Sequence, residues 1–383
     1  MKNHKLKVAL VHDDLIQYGG AERVLEIMHE IWPDAPIYTS MYDREGMLIK
    51  GWNDDGMEIR TSRFQFLPKK SKFGNKFYLP IFPLAFESFD FSEYDLVISS
   101  STRFAHGIIT RPGTCHICYC NSPARFLWMY SDYEKGHGGI KSWQKLFLLP
   151  ILHWQRIWDQ QASLRPDFYF GNSSIIVKRI NKLYKREAEV MFPPADVEKF
   201  FPKGWVKKKD YYVIVGRMAG HKRYDIAVEA FNKLGSEYEL RLIGSGDKLE
   251  ELKAMAKENV KFLGYVSNEE RERQVQEAKG FIYTQFEDFG ITAVEGNAAG
   301  TPVIAYGEGG VLDTIVDGKT GVYFEEQTAE SLIEAIKKFE TMSLSPKECI
   351  DNAKRFNKES FKNKLKDRVE EMVREYRDKY DMN

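Results

Sequence analysis

Residues 280–310 read GFIYTQFEDFGITAVEGNAAGTPVIAYGEGG, and this stretch decides the fold. The apolar run GFIYT ends in polar residues, ITAVEGNAAG reads as a helix, and PVIAY is a second short apolar run. Short apolar strands joined through a helix belong to a parallel sheet with both faces covered. The pattern continues outward. Strand YYVIVG precedes helix KRYDIAVEAFNKL, strand ELRLIG precedes helix DKLEELKAMAKE, and VKFLG precedes helix NEERERQVQEA. Further on, strand GVYF leads into helix AESLIEAIKKF. Strands and helices in alternation specify a doubly wound α/β domain.

The first half alternates in the same sense. Strand KVALVH runs into the loop DDLIQYGGAE and a helix over 21–31, and strands return at PIYTS, DLVISSS and HICYC. A long helix over 142–163, strand DFYFGNS, a helix over 175–184 and strand AEVMF follow. Pro193 and Pro194 then break the chain and KKK (207–209) gives a polar lead-in, which places a linker there. With 383 residues the chain is too long for one ordinary core. The expected organisation is a Rossmann-like domain over 1–195, a second over 196–358, and a helical segment over 359–383 packing back toward the first. On that segment Phe361, Leu365, Val369, Met372 and Val373 form one stripe.

Apolar residues at 43% and aromatics at 14% suffice for two cores and argue against disorder. Basic and acidic residues number 56 each, so no net field draws the protein to nucleic acid. The opening MKNHKLKVALVHDD has a short apolar run followed by acids, unlike a secretory signal. No window approaches the roughly 20 apolar residues of a membrane-spanning helix. The expected location is the cytoplasm, with the inner face of the cell membrane as a second site of residence. Cys115, Cys118 and Cys120 with His116 invite a metal reading, and Cys349 stands apart. A buried strand explains CHICYC better, because Cys115 points away from the other three and no second CxxC completes a cage.

The turn after GFIYT carries the clearest chemistry. Gly290 opens a helix at the carboxyl end of a strand, where open α/β sheets bind ligands. The peptide N–H groups of Gly290, Ile291 and Thr292 lack helical partners and favour an anion. Glu287 before the turn and Glu295 along the helix are poor phosphate ligands but good hydroxyl acceptors. Hydroxyls on both sides of a diphosphate describe a nucleotide sugar. In VGRMAGHKRYDIAVEAF, Arg217 and Lys222 flank the next helix's start and can reach one anion. In YGGAE, Gly19 and Gly20 allow close backbone approach to a ligand. His12 and His106 sit at expected strand ends.

The Glu287–Glu295 spacing, GTPVIA, GGVLDTIVDGKTG, the Arg217/Lys222 loop and GGAE together resemble the retaining glycosyltransferases of the GT-B fold, the large group 1 family, family four. The resemblance covers the whole chain, with the specific motifs in the second half, and implies two Rossmann-like domains facing across a cleft. YCNSPARFLW, NSSIIVKRINKLY, VMFPPADVEKF and GRMAGHKRYDIAVEAF are similar to bacterial mannosyltransferases that build O-antigen and other surface polysaccharides. The resemblance implies that Glu287 binds the donor sugar's hydroxyls and Glu295 the ribose. It gives Arg217 and Lys222 the diphosphate, with backbone N–H groups at Phe289, Gly290 and Ile291. The nucleobase is expected against Gly264, Tyr265 and Val266, and the Gly19–Gly20 turn over the reaction centre. Where relatives carry a histidine in a CHTP-like run, this chain has Asn121, so that role is lost, weakened or shared with His106.

Cleaving the anomeric bond leaves negative charge on the departing diphosphate, which a metal or fixed protein groups must stabilise. No Asp-x-Asp pair is present to hold a metal there. Arg217, Lys222 and the helix start can do so, giving metal-independent transfer with retention and no cofactor beyond the donor. The expected donor is GDP-mannose and the acceptor a glycan or lipid-linked hydroxyl. A UDP-sugar donor and a non-catalytic nucleotide-sugar-binding protein remain as alternatives. A nicotinamide dehydrogenase would share the architecture, but IGSGDKL has Leu249 where the fingerprint's third glycine belongs. Two stretches interleave basic and aromatic residues and can rest on an anionic membrane: one with Lys69, Lys70, Lys72 and Lys76, the other with Trp143, Phe147, Trp154 and Trp158.

Overall fold

A computed structural model describes residues 6–67, 74–129 and 142–380. The chain divides into two compact units, Met1–Pro193 with Phe361–Asn383, and Pro194–Ser360. Each is an α/β unit built on one all-parallel sheet.

The first sheet holds β1 (Val8–His12), β2 (Ile37–Thr39), β3 (Ile59–Thr61), β4 (Leu96–Ser101), β5 (Cys115–Cys120), β6 (Phe168–Gly171) and β7 (Glu189–Val190). Their order is β3-β2-β1-β4-β5-β6-β7. The chain winds outward from β1 to one edge, then restarts at β4 on β1's other side, with His12 in register with Ser100. Strand β3 is absent from the sequence reading because IRT is half-exposed and offers no apolar run. On one sheet face Leu10, Ile98, Ile117 and Tyr119 pack with Val24, Leu25 and Met28 of the helix Gly20–Ile31. The terminal helix Lys358–Lys379 inserts Phe361, Leu365, Val369, Met372, Val373 and Tyr376 into the same core. Each such side chain contributes roughly 1.5–3 kcal/mol on burial, so this helix is structural. The other face packs Ala9, Val11 and Val97 against Phe82, Phe86 and Phe104.

CHICYC is the core strand β5, buried throughout. Its thiols are free, and burial pushes that of Cys118 up to about 12. His116 Nε2 lies 2.8 Å from the Ser99 hydroxyl. Among the described residues, no group of three or more potential ligands can hold a metal ion. The same residues contain no helix long and apolar enough to cross a membrane. Lys69, Lys70 and Lys72 lie outside the described residues, as do the side chains of Lys76, Trp143 and Phe147. In the helix Ser142–Ala162, Trp158 turns inward against Phe104 while Leu149, Trp154 and Ile157 are exposed.

The second sheet comprises β8 (Tyr211–Val215), β9 (Glu239–Ile243), β10 (Val260–Gly264), β11 (Gly280–Tyr283), β12 (Val303–Tyr306) and β13 (Gly321–Phe324), in the order β10-β9-β8-β11-β12-β13. The helices Tyr224–Leu234 and Ala329–Glu340 bury Ile226, Phe231, Leu332 and Ile336 against Ile214, Leu242, Ile282 and Ile304. Local chemistry sets where helices begin. Ser267 Oγ accepts from Glu270 N at 3.1 Å to start Asn268–Glu277, and Thr328 accepts from Ser331 N to start Ala329–Glu340. Such caps satisfy amides that a helix start leaves unpaired.

Candidate functional site

In each sheet the winding direction reverses beside the first strand, between β1 and β4 and between β8 and β11. Loops leaving the carboxyl ends of those strands diverge there and open a crevice, the usual ligand position of an open α/β sheet. In the second unit those loops carry Arg217 and Lys222 after β8, and Glu287 and Gly290 after β11.

The side chains meet as that topology dictates. The Lys222 ammonium pairs with Glu287 Oε1, and the Tyr283 hydroxyl donates to Glu287 Oε2 at 2.9 Å. The Thr284 hydroxyl donates to the Lys222 carbonyl at 2.8 Å, tying the two loops together. Lys222 is delivered by a strained turn. Arg223 holds φ at +54°, a left-handed conformation costly for a side-chain-bearing residue, and its guanidinium reaches back to Asp225 at 3.2 Å. Arg217 is exposed on the same loop.

Gly290 precedes the helix Ile291–Ala298 with φ at +90°, a region only glycine enters freely. Beside this helix start, Thr292 Oγ1 and Gln285 Oε1 are buried without a hydrogen-bond partner among the described residues. Buried polar atoms left unpaired cost about 1–3 kcal/mol each, and a polar ligand would relieve that cost. Glu295 lies half-buried one turn further along.

Gly309 and Gly310 support the turn from below. A Cβ on Gly310 would stand 2.3 Å from the Asp288 carbonyl oxygen, and its N–H donates to the Glu287 carbonyl at 2.8 Å. Gly310→Ala is therefore expected to cost about 1–3 kcal/mol by overpacking, read as a lower urea midpoint at unchanged slope. Wild-type stability would show that the turn does not rest on this glycine.

The loop after β8 is stitched to its neighbours. Gly216 N donates to Ile243 O at 3.0 Å, Met218 N to Ser245 O at 3.0 Å, and Gly244 N to Gly264 O at 2.8 Å. Gly264, Tyr265 and Val266 thus lie along the same carboxyl edge, with Tyr265 86% exposed. Arg217, Lys222, Gly264–Val266, Glu287 and Phe289–Thr292 all gather at this end of the second sheet.

Gly19, Gly20, His106 and Asn121 belong to the first unit. Gly19 lies just before the helix Gly20–Ile31 with φ at −157°, an extended conformation open to any residue. A Cβ there would meet Glu22 Oε2 at 3.3 Å. Asn121 Nδ2 donates to Ser100 Oγ at 3.1 Å. His106 faces Ser101 Oγ at 3.3 Å, and successive strand residues point to opposite faces of a sheet. The His106 ring is buried, stacked on Tyr184, and 3.3 Å from Asp159 Oδ1. The His106 ring is thus held within the core of the first unit.

A polar cluster in this unit escaped the sequence reading. Asp13 Oδ2 accepts from Thr102 N, Thr102 Oγ1 and Arg103 N at 2.5, 2.8 and 3.0 Å, and Oδ1 from Phe104 N and Ala105 N at 2.7 and 2.9 Å. Asp14 pairs with Arg103. Burial alone would raise the Asp13 carboxyl, but the charges of Arg103 and His12 and the amides of Phe104 and Thr102 hold it below the usual range. His12 Nε2 lies 3.6 Å from Glu22 Oε1. Burial disfavours the His12 imidazolium, yet Glu22, Asp13 and Asp14 keep its pKa above the ordinary value. Apart from His12 at its strand end, the sequence signals the cluster only through the two acids that follow β1, with partners ninety residues away.

Two all-parallel, doubly wound units, the second with a basic and carboxylate-bearing crevice at its switch point, define the GT-B class of fold. Residues 196–356 match the family described as Glycosyl transferases group 1, so the second unit is a group 1 glycosyltransferase domain. The chain is 33% identical to the alpha-1,3/1,6-mannosyltransferase ALG2 of Dictyostelium discoideum over 34% of its own length and 37% of that protein's. It is 28% identical to the mannosylfructose-phosphate synthase of Agrobacterium fabrum over 39% of each. These alignments therefore span well under half of either relative. The structure of Anabaena Alr3699/HepE in complex with UDP and glucose superposes with a TM-score of 0.67 at 15% identity, covering 96% of this chain and 100% of that one.

Proposed function

We propose that this protein transfers a hexose from a nucleotide sugar to a hydroxyl of a glycan or lipid-linked acceptor, with retention and without a metal. The observation that carries the reading is the Lys222–Glu287–Tyr283 constellation beside the Gly290 helix start, at the switch point of the second sheet. Glu287 takes the sugar hydroxyls and Glu295 the ribose. Arg217, Lys222 and the amides of Phe289, Gly290 and Ile291 take the diphosphate, and the base lies along Gly264–Val266. As the anomeric bond breaks, charge grows on the diphosphate oxygen. Cations and amides gathered at this strand end stabilise that charge.

The matched mannosyltransferase supports mannose as the transferred sugar, and GDP-mannose is the donor in this reading. A UDP-sugar is the second reading, favoured by the UDP held in the superposed Anabaena protein. The exposed Leu149, Trp154 and Ile157 give the first unit an apolar face suited to resting on a membrane that carries a lipid-linked acceptor. In this reading the protein works in the cytoplasm, resting on the inner face of the cell membrane.

Thermal unfolding with GDP, UDP, dTDP, CMP or NAD, each with excess chelator, tests the donor site. A ligand at 100 times its dissociation constant is expected to stabilise the fold by about 2.7 kcal/mol. A shift with one nucleoside diphosphate, undiminished by chelator, supports the reading and names the base. A shift with NAD alone, or with a nucleotide only when metal is restored, rules it out. Nucleotide binding without any sugar transfer would mark a non-catalytic binding protein.

A further inference from the structure

Tyr283 ends β11 with its ring buried to 1% exposure in the second sheet. Its hydroxyl does two things at once. It donates to Glu287 Oε2 at 2.9 Å, and it stands 2.8 Å from where a Cβ on residue 290 would lie. One buried oxygen therefore fixes the carboxylate and also bounds the backbone position from which the helix Ile291–Ala298 begins. We propose that Tyr283 is a positioning residue that holds Glu287 in place for the donor sugar, an inference that rests on the donor-site reading above.

The need for such a residue follows from the other partner of Glu287. In the structure Lys222 pairs with Oε1, but in the proposed reaction the same ammonium serves the diphosphate. A lysine has three donors on a flexible stem, so its hold on Glu287 weakens as phosphate arrives. Tyr283 has no such second duty. Its ring is locked in the core, and burial with the neighbouring Glu287 charge raises its pKa well above the ordinary phenol value, so it remains an O–H donor. A carboxylate held by a rigid donor meets the sugar hydroxyls in one orientation, and the entropy of ordering it is already spent before the donor binds.

The test separates the sugar from the rest of the donor. Tyr283→Phe keeps the ring and removes only the hydroxyl. Dissociation constants are measured by calorimetry for GDP and GDP-mannose, and for UDP and UDP-glucose, on the full chain. The variant is expected to bind the nucleoside diphosphates as the parent does and to bind the matching nucleotide sugar roughly tenfold to a hundredfold more weakly, the scale of one hydrogen bond to a charged group. In the same background, Gly290→Ala is expected to lower the unfolding temperature less than it does beside the intact tyrosine. Unchanged nucleotide-sugar affinity, or equal weakening of both ligand types, overturns the proposal. If the parent binds no nucleoside diphosphate, the donor-site reading itself fails and takes this inference with it.

Discussion

Lys222→Ala and Arg217→Ala are each expected to lower turnover by about 10²–10³-fold, the usual scale for losing one preorganised stabiliser of transition-state charge. The two residues lie on one loop after β8, and Lys222 already sits against Glu287 across the switch-point crevice. In the proposed reaction their cationic charge is needed most when the anomeric bond is breaking, so the loss is expected to fall on the rate and less on donor affinity. The variants are complementary. Lys222→Ala also strips Glu287 of its ion-pair partner, whereas Arg217 is exposed and its removal leaves no buried charge behind. Initial rates of nucleoside diphosphate release, with thermal unfolding as a control for folding, provide the measurement. Near-normal rates in both variants would sink the assignment of these residues to the leaving group.

Asp13→Ala is expected to destabilise the protein by about 3–5 kcal/mol, the range for breaking a buried charged network by removing one member. Its carboxylate accepts from the amides of Thr102, Arg103, Phe104 and Ala105 and from the Thr102 hydroxyl, joining the ends of β1 and β4. Truncation leaves the buried amides of Phe104 and Ala105 unpaired and removes one of the carboxylates, with Asp14 and Glu22, that face Arg103. The effect depends on pH with a definite sign. The folded-state pKa of Asp13 is lowered, so its stabilisation is complete above the ordinary carboxylate range and disappears as the pH falls through the lowered value. Urea unfolding is thus expected to show the gap between wild type and variant still present at about pH 5, closing only in stronger acid. A loss under about 1 kcal/mol would mean that water replaces the carboxylate among these donors.

The alternation of strand and helix was legible because it is local. A buried parallel strand must be a short apolar run, and its crossover helix must carry an apolar stripe, so GFIYT, ITAVEGNAAG and PVIAY announce themselves. The terminal helix was legible for the same reason, through the stripe from Phe361 to Val373. Edge strand β3 was not, since three half-exposed residues need no apolar pattern to pair with β2.

The site divided along the same line. Gly290, Glu287, Lys222 and Arg217 stood out because a glycine before a helix, carboxylates beside it and a paired cation loop are unusual in sequence. What they do to one another was not visible. Strand order alone places β8 beside β11, and only then do Lys222 and Glu287 touch across 65 positions of chain. Tyr283 read as one more strand residue, and Asp13 as one of two acids in a loop, until tertiary packing gave each its partners. His106 stood out for its imidazole, and only packing shows its ring enclosed by Tyr184 and Trp158. The sequence by itself determined the class of each element and the residue types available at strand ends, because those depend on neighbours along the chain. Which side chains share a crevice was decided by the order of strands, a long-range choice made by the sheet as a whole.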